Sequence, residues 1–137
     1  MTIHIRTFGA ALMLTAAILT VPAPATAGFS LNTIGPTGSL GQHGRTATVT
    51  AILACTAGQS IDVRVTLTQG QAIGEGVVGH INCTGAPMEI PVKVTAHGKT
   101  AFTPGPAQAC ARAVNRDRGE VVDTRQWCRA DPVQLTA

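Results

Sequence analysis

The sequence predicts an all-β fold, an antiparallel sandwich of about seven strands held by two disulfides, and three observations predict it. Segment after segment from Thr46 onward alternates apolar with polar residues at a period of two, the repeat of a half-buried strand. Short stretches bearing glycine or proline separate those segments at hairpin spacing. No segment carries an apolar stripe at helical spacing.

Residues 1–27 read as a secretory signal, with His4 and Arg6 in a weakly basic start, an apolar run from Phe8 to Val21, and the small-x-small site Ala25-Thr26-Ala27. That run is shorter than the roughly 20 residues a helix needs to cross a bilayer. Residues 28–137 are therefore expected to be released as a secreted, extracellular protein with no membrane contact after cleavage.

Residues 28–44 contain Gly35, Pro36, Gly38 and Gly41 and read as a flexible leader that adds at most a short edge strand, so the folded domain is expected over 45–137. Thr46–Cys55 places Ala47, Val49, Ala51, Leu53 and Cys55 on one face, and after a turn at Thr56–Gln59 the residues Ile61, Val63, Val65 and Leu67 do the same. These two segments are expected to form a hairpin.

Gln69–Gly76 reads as a glycine-rich loop, and Val77, Gly79, Ile81 and Cys83 then share a face. Ile90, Val92, Val94 and Ala96 form the next inward row, with Pro91 requiring an edge or a non-bonding position because it lacks a ladder donor. Phe102 is expected to pack under the turn at Gly98–Gly105. Ala107, Ala109, Ala111 and Ala113 suit a helix by propensity, but their strict alternation with Gln108, Cys110, Arg112 and Val114 favours a strand. A charged turn at Arg116–Gly119, a strand from Glu120 to Trp127 and a last one at Val133–Leu135 complete the set. An immunoglobulin-like antiparallel sandwich is the natural packing for that number of strands.

Four cysteines, Cys55, Cys83, Cys110 and Cys128, follow the signal, and an even count in a small exported chain points to disulfides rather than metal ligands. Of the three possible pairings, Cys55 with Cys83 and Cys110 with Cys128 is favoured, since each then ties neighbouring strands within one half of the chain. Loops of this size contribute on the order of 3 kcal/mol each in the chain-entropy model, a large share of a total of roughly 5–15 kcal/mol.

The series Cys55-Thr56-Ala57-Gly58, Val63-Arg64-Val65-Thr66-Leu67-Thr68-Gln69, Cys83-Thr84-Gly85 and Phe102-Thr103-Pro104-Gly105-Pro106-Ala107 resembles a group of small secreted actinobacterial proteins that carry an immunoglobulin-like domain of unknown function. The likeness spans most of Ala47–Ala113 and rests on strand and turn signatures. It implies export and a β-sandwich, and brings no activity with it.

A formal net charge of +3 is too small to imply nucleic-acid or membrane-surface binding. Phe29, Phe102 and Trp127 are the aromatics after the signal, too few for a base-stacking platform. His43, His80 and His97 have no metal-ligand spacing, Ser30, Ser39 and Ser60 sit in no nucleophile motif, and no carboxylate pair stands out. No catalytic residue, cofactor or metal site is therefore expected.

The candidate binding face is Arg112, Arg116, Arg118, Arg125, Trp127 and Arg129, because arginine and tryptophan concentrate at binding hot spots and a disulfide would brace their hairpin. The competing reading is a solvated hairpin whose charges pair across strands while Trp127 fills the core. The function expected is a secreted, non-catalytic binding module for a protein, a surface polymer or a small ligand. A secreted protease inhibitor using the Gln69–Gly76 loop is the alternative, followed by a small hydrolase.

Overall fold

The computed structural model describes residues 28–137, so the signal expected in residues 1–27 lies outside the described residues. Eight strands follow in order: β1 (Phe29–Gly41), β2 (Thr46–Cys55), β3 (Ser60–Gln69), β4 (Ala72–Asn82), β5 (Met88–His97), β6 (Gly105–Asp117), β7 (Glu120–Cys128) and β8 (Val133–Thr136), with one 3-10 turn at Gln42–Gly44.

Period-two patterning decides the buried face of most of them. Ala47, Val49, Ala51 and Leu53 of β2, Ile61, Val63, Val65 and Leu67 of β3, and Ile90, Val92, Val94 and Ala96 of β5 are all buried, as expected. The alanine segment is a strand: Ala107, Ala109, Ala111 and Ala113 form the inward row of β6, which ends in the buried Asn115. Asn115 Nδ2 donates to Gln59 Oε1 at 2.7 Å, a buried amide pair that partly compensates the polar cost of its position.

The expected sandwich of separate sheets is not what forms. The hydrogen-bonded order β3-β4-β5-β2-β1-β8-β6 returns to β3 through β6 and closes a seven-strand barrel, with β7 attached outside the ring on β6. Closure is confined to one end. There β4 meets β5 only at Ile73–Glu75 against His97–Thr95, and β8 links β1 to β6 through Thr37–Ser39 and Gly105–Ala107. Buried Phe102 packs under this end, as expected, its amide bonded to the Gly44 carbonyl at 2.9 Å. Toward the other end the ladders β4–β5 and β1–β8–β6 have stopped, and β5-β2-β1 diverges from β4-β3-β6-β7.

The segment expected as a leader is β1, 13 residues long and laddered to β2 over most of its length. Its glycines fit the packing: a Cβ at Gly38 would crowd the Leu135 and Val49 side chains. Gln69–Gly76 is likewise no loop. Gly70 and Gln71 make a two-residue turn, and Gly74 and Gly76 lie buried in β4 where it crosses to β5. A Cβ on Gly76 would overlap the Lys93 carbonyl oxygen, so glycine is what lets the two strands close the barrel.

The face assigned to Val77 and Gly79 also changes. A bulge adds one residue to β4 between Val78 and Ile81, opposite Ile61–Val63. Val77 therefore points outward, Val78 inward, and parity is restored only at Ile81 and Cys83. His80 in the bulge has φ 56°, and its N–H donates to Asp62 Oδ1 at 3.0 Å. Pro91 falls in the stretch of β5 that β4 leaves unpaired, the position its missing donor requires.

Both disulfides form as expected, Cys55–Cys83 and Cys110–Cys128, and no described cysteine is free. Only the second joins neighbouring strands. The buried Cys55–Cys83 bridge runs between β2 and the end of β4, across the end where the two groups of strands diverge.

Replacing Gly76 by alanine is expected to destabilise the fold by about 1–3 kcal/mol through overpacking against Lys93. Val77→Ala, one residue away on the outer face, is expected to change stability by less than about 0.5 kcal/mol. Urea denaturation under non-reducing conditions measures both.

Candidate functional site

The β6–β7 hairpin carries the six candidate residues, and its two ends fix their directions. At the tip, Asp117 pairs with Glu120 around Arg118 (φ 52°) and Gly119 (φ 84°), the two consecutive left-handed residues of a type I′ turn. At the other end Cys110 lies directly opposite Cys128, with Cα atoms 3.9 Å apart, and the disulfide pins the register. That short spacing marks a non-hydrogen-bonded pair. The next pair agrees, since the Arg129 N–H donates to the Ala109 carbonyl at 2.9 Å. Asp123, Arg125 and Trp127 of β7 consequently bond to β6, while the N–H and C=O groups of Thr124, Gln126 and Cys128 point to the opposite edge.

The same register divides the candidate face in two. Arg112 and Arg116 project outward from β6 beside β3, and Arg118 stands at the exposed tip. Arg125 and Trp127 share the inward side of β7, opposite Ala113 and Ala111, and Arg129 follows just beyond the strand. The six residues therefore do not form one surface.

On the outer side, Arg64 sits directly opposite Arg112, with Val77 beyond it. Arg64 is paired to Glu75 at 3.0 Å and Arg116 to Asp62. Asp62, Arg64, Val77, Arg112 and Val114 line a shallow hollow of about 210 Å³. The His80 N–H, then Arg116, hold the Asp62 carboxyl below the usual carboxylate range despite partial desolvation. The role of Asp62 was not visible in sequence, because it depends on the β4 bulge and on β6 lying beside β3.

The inward group faces β1 across a seam. Asp123 Oδ2 accepts from Arg125 Nε at 3.1 Å and from the Phe29 N–H at 3.4 Å, and Arg129 Nη1 donates to the Ile34 carbonyl at 2.8 Å. No backbone ladder joins β1 to β7 among the described residues. Two hollows open along the seam. One, about 430 Å³, is lined by Phe29, Ser30, Cys55, Thr56, Gly85 and Arg125; the other, about 310 Å³, by Asn32, Ile34, Trp127, Arg129 and Asp131 among others. Trp127 Nε1 and Arg129 Nε are buried without a hydrogen-bond partner at the second. Such donors are costly to leave unpaired and give this seam unspent bonding capacity; Asn115 Oδ1, in the inward row of β6, is likewise without a partner.

Neither hollow of the seam is lined by a histidine; His43 lies elsewhere, in a hollow of about 400 Å³ beside Phe102 at the closed end. Among the described residues no group of three or more His, Cys, Asp or Glu side chains is placed to hold a metal, and no helix is long and apolar enough to cross a membrane. No protein-family model, curated protein or solved structure matches this chain.

Because Asp62 has a lowered pKa in the folded state, its contribution is fully present above the unfolded value of about 3.9 and is lost as pH falls through the lower folded value. Asp62→Asn is expected to lower the melting temperature near about pH 7, and the gap to the unsubstituted protein is expected to narrow below about pH 4. Thermal melts across that range measure it.

Proposed function

We propose that this protein is a secreted, non-catalytic binding module that docks an extended segment of a partner along the seam between β1 and β7. The observation that carries the reading is the β7 edge: Thr124, Gln126 and Cys128 present backbone groups that no strand pairs, beside the partnerless Trp127 Nε1 and Arg129 Nε. An added strand satisfies such an edge directly, gaining affinity from main-chain bonds and selectivity from side-chain hollows.

Two further parts of the reading have their own support. Export accords with two disulfides and no free cysteine in the described chain, and with the Ala25-Thr26-Ala27 cleavage pattern. Kinship with immunoglobulin-like domains accords with the succession β1-β2-β5 on one side and β7-β6-β3-β4 on the other at the open end. The inhibitor alternative has less behind it, because the Gln69–Gly76 segment it relied on is a two-residue turn entering β4. A hydrolase would need converging acid, base or nucleophile groups, and the seam hollows offer Ser30 and Asp131 in separate places.

Panning a random phage-displayed peptide library against the disulfide-intact protein tests the docking reading. Enriched peptides are expected to shift the fluorescence of Trp127, the chain's single tryptophan, and to lose affinity about tenfold or more against Thr124→Pro, which removes one edge donor. Peptides that bind the variant equally well, or no enrichment at all, would count against it.

A further inference from the structure

We propose that the segment docked on β7 is the β7 of a second copy of this chain, paired antiparallel about a twofold axis at Thr124. This rests on the docking reading above and names its partner.

The free edge selects which residues can pair. Thr124, Gln126 and Cys128 carry the outward backbone groups, so a second copy must place residues of the same parity against them. Centring the pair on Thr124 satisfies that condition, setting Thr124 against Thr124 of the partner subunit; beyond Asp123 a bulge at Val122 interrupts the regular strand, so the matched stretch is Asp123–Arg125. The intervening side chains are then complementary. Asp123 faces Arg125 of the partner subunit, and Arg125 faces Asp123 of the partner subunit. These lie at non-hydrogen-bonded positions, where opposed side chains are closest.

Neighbouring registers of the same parity lack this match. Moving the axis to Arg125 opposes two guanidinium groups, and moving it to Asp123 opposes two carboxylates. Charge therefore favours Thr124 over the two adjacent axes, and the twofold repeats the Asp123–Arg125 contact, as an isologous interface does.

Exposure and edge chemistry agree. Val121 and Val122, adjacent at the β7 bulge, are 56% and 39% exposed and put apolar surface beside this edge. Residues Glu120–Cys128 contain no lysine or proline, and the charges β7 turns inward, Asp123 and Arg125, are those the twofold axis pairs, whereas the unpaired stretch of β5 carries Pro91 and Lys93. Arg125 is half-exposed and its Asp123 contact is within one strand, so Arg125 can exchange partners across the axis while Asp123 keeps the Phe29 N–H.

Sedimentation velocity of the disulfide-intact protein up to about 1 mM, the weak end of specific association, tests the proposal. A concentration-dependent dimer is expected. Asp123→Arg and Arg125→Asp are each expected to be monomeric, because each opposes like charges twice. An equimolar mixture of the two is expected to dimerise again, since every cross-axis pair becomes opposite in sign. That rescue separates a contact between copies from the Asp123–Arg125 contact within one.

Thr124→Pro, which removes the donor at the axis while leaving the β6 ladder in place, is expected to be monomeric and serves if a charge variant does not fold. A monomeric unsubstituted protein overturns the proposal, as does a dimer indifferent to all three substitutions. If the monomer still captures peptides at the seam, self-pairing fails while docking stands; if it captures none, both fail.

Discussion

The buried Cys55–Cys83 disulfide holds the end of the barrel that backbone hydrogen bonds leave open. At the opposite end, short ladders between β4 and β5 and through β8 close the ring. Away from those ladders, β1, β2 and β5 have no strand-to-strand bond to β3, β4, β6 or β7. The bridge from β2 to the end of β4 joins the two groups covalently, and the Gly85 N–H bond to the Cys55 carbonyl at 3.0 Å adds a noncovalent tie. A crosslink of this kind limits how far the groups can separate while leaving the outer edges of both free.

The functional edge follows from how β6 is shared. It is laddered to β3 from Gln108 to Arg116 along one side, but the other side is divided between β8 at Gly105–Ala107 and β7 from Cys110 onward. The parallel ladder of β1 with β8 ends at Thr37, and nothing continues it onto β7. The seam is the space left by that division. Cys110–Cys128 then does for β7 what a second neighbouring strand would have done, fixing the register that sends Asp123, Arg125 and Trp127 to one side and the free backbone groups of Thr124 and Gln126 to the edge.

Strands with one buried face were legible in the sequence, because a single neighbouring core imposes the period-two row. Ala47 to Leu53, Ile61 to Leu67 and Ala107 to Ala113 are such rows. Both cysteine pairings were expected, but the neighbouring-strand reason for them holds only for Cys110–Cys128. The expected hairpin of β2 with β3 does not form, since β2 lies between β1 and β5 and β3 between β4 and β6. Glycine misled where its role is tertiary: Gly38 in β1 and Gly74 and Gly76 in β4 answer close approach by residues far along the chain, not local flexibility. The bulge at His80 escaped because the group that pairs with its freed N–H, the Asp62 carboxylate, lies on another strand. Closure of the ring rests on three-residue ladders whose partners no local pattern names. The candidate hairpin was found by composition, but the direction of each arginine depended on hydrogen-bond parity, set by Cys110 facing Cys128.

Residue-by-residue amide hydrogen exchange along β7, by NMR at concentrations low enough to keep the protein monomeric, tests most directly whether this edge is free. Slow exchange at Asp123, Arg125 and Trp127 with fast exchange at Thr124 and Gln126 is expected, because only the first set bonds to β6. Uniform slow exchange along the strand in the monomer would mean that β1 or another segment closes the seam, and would contradict it.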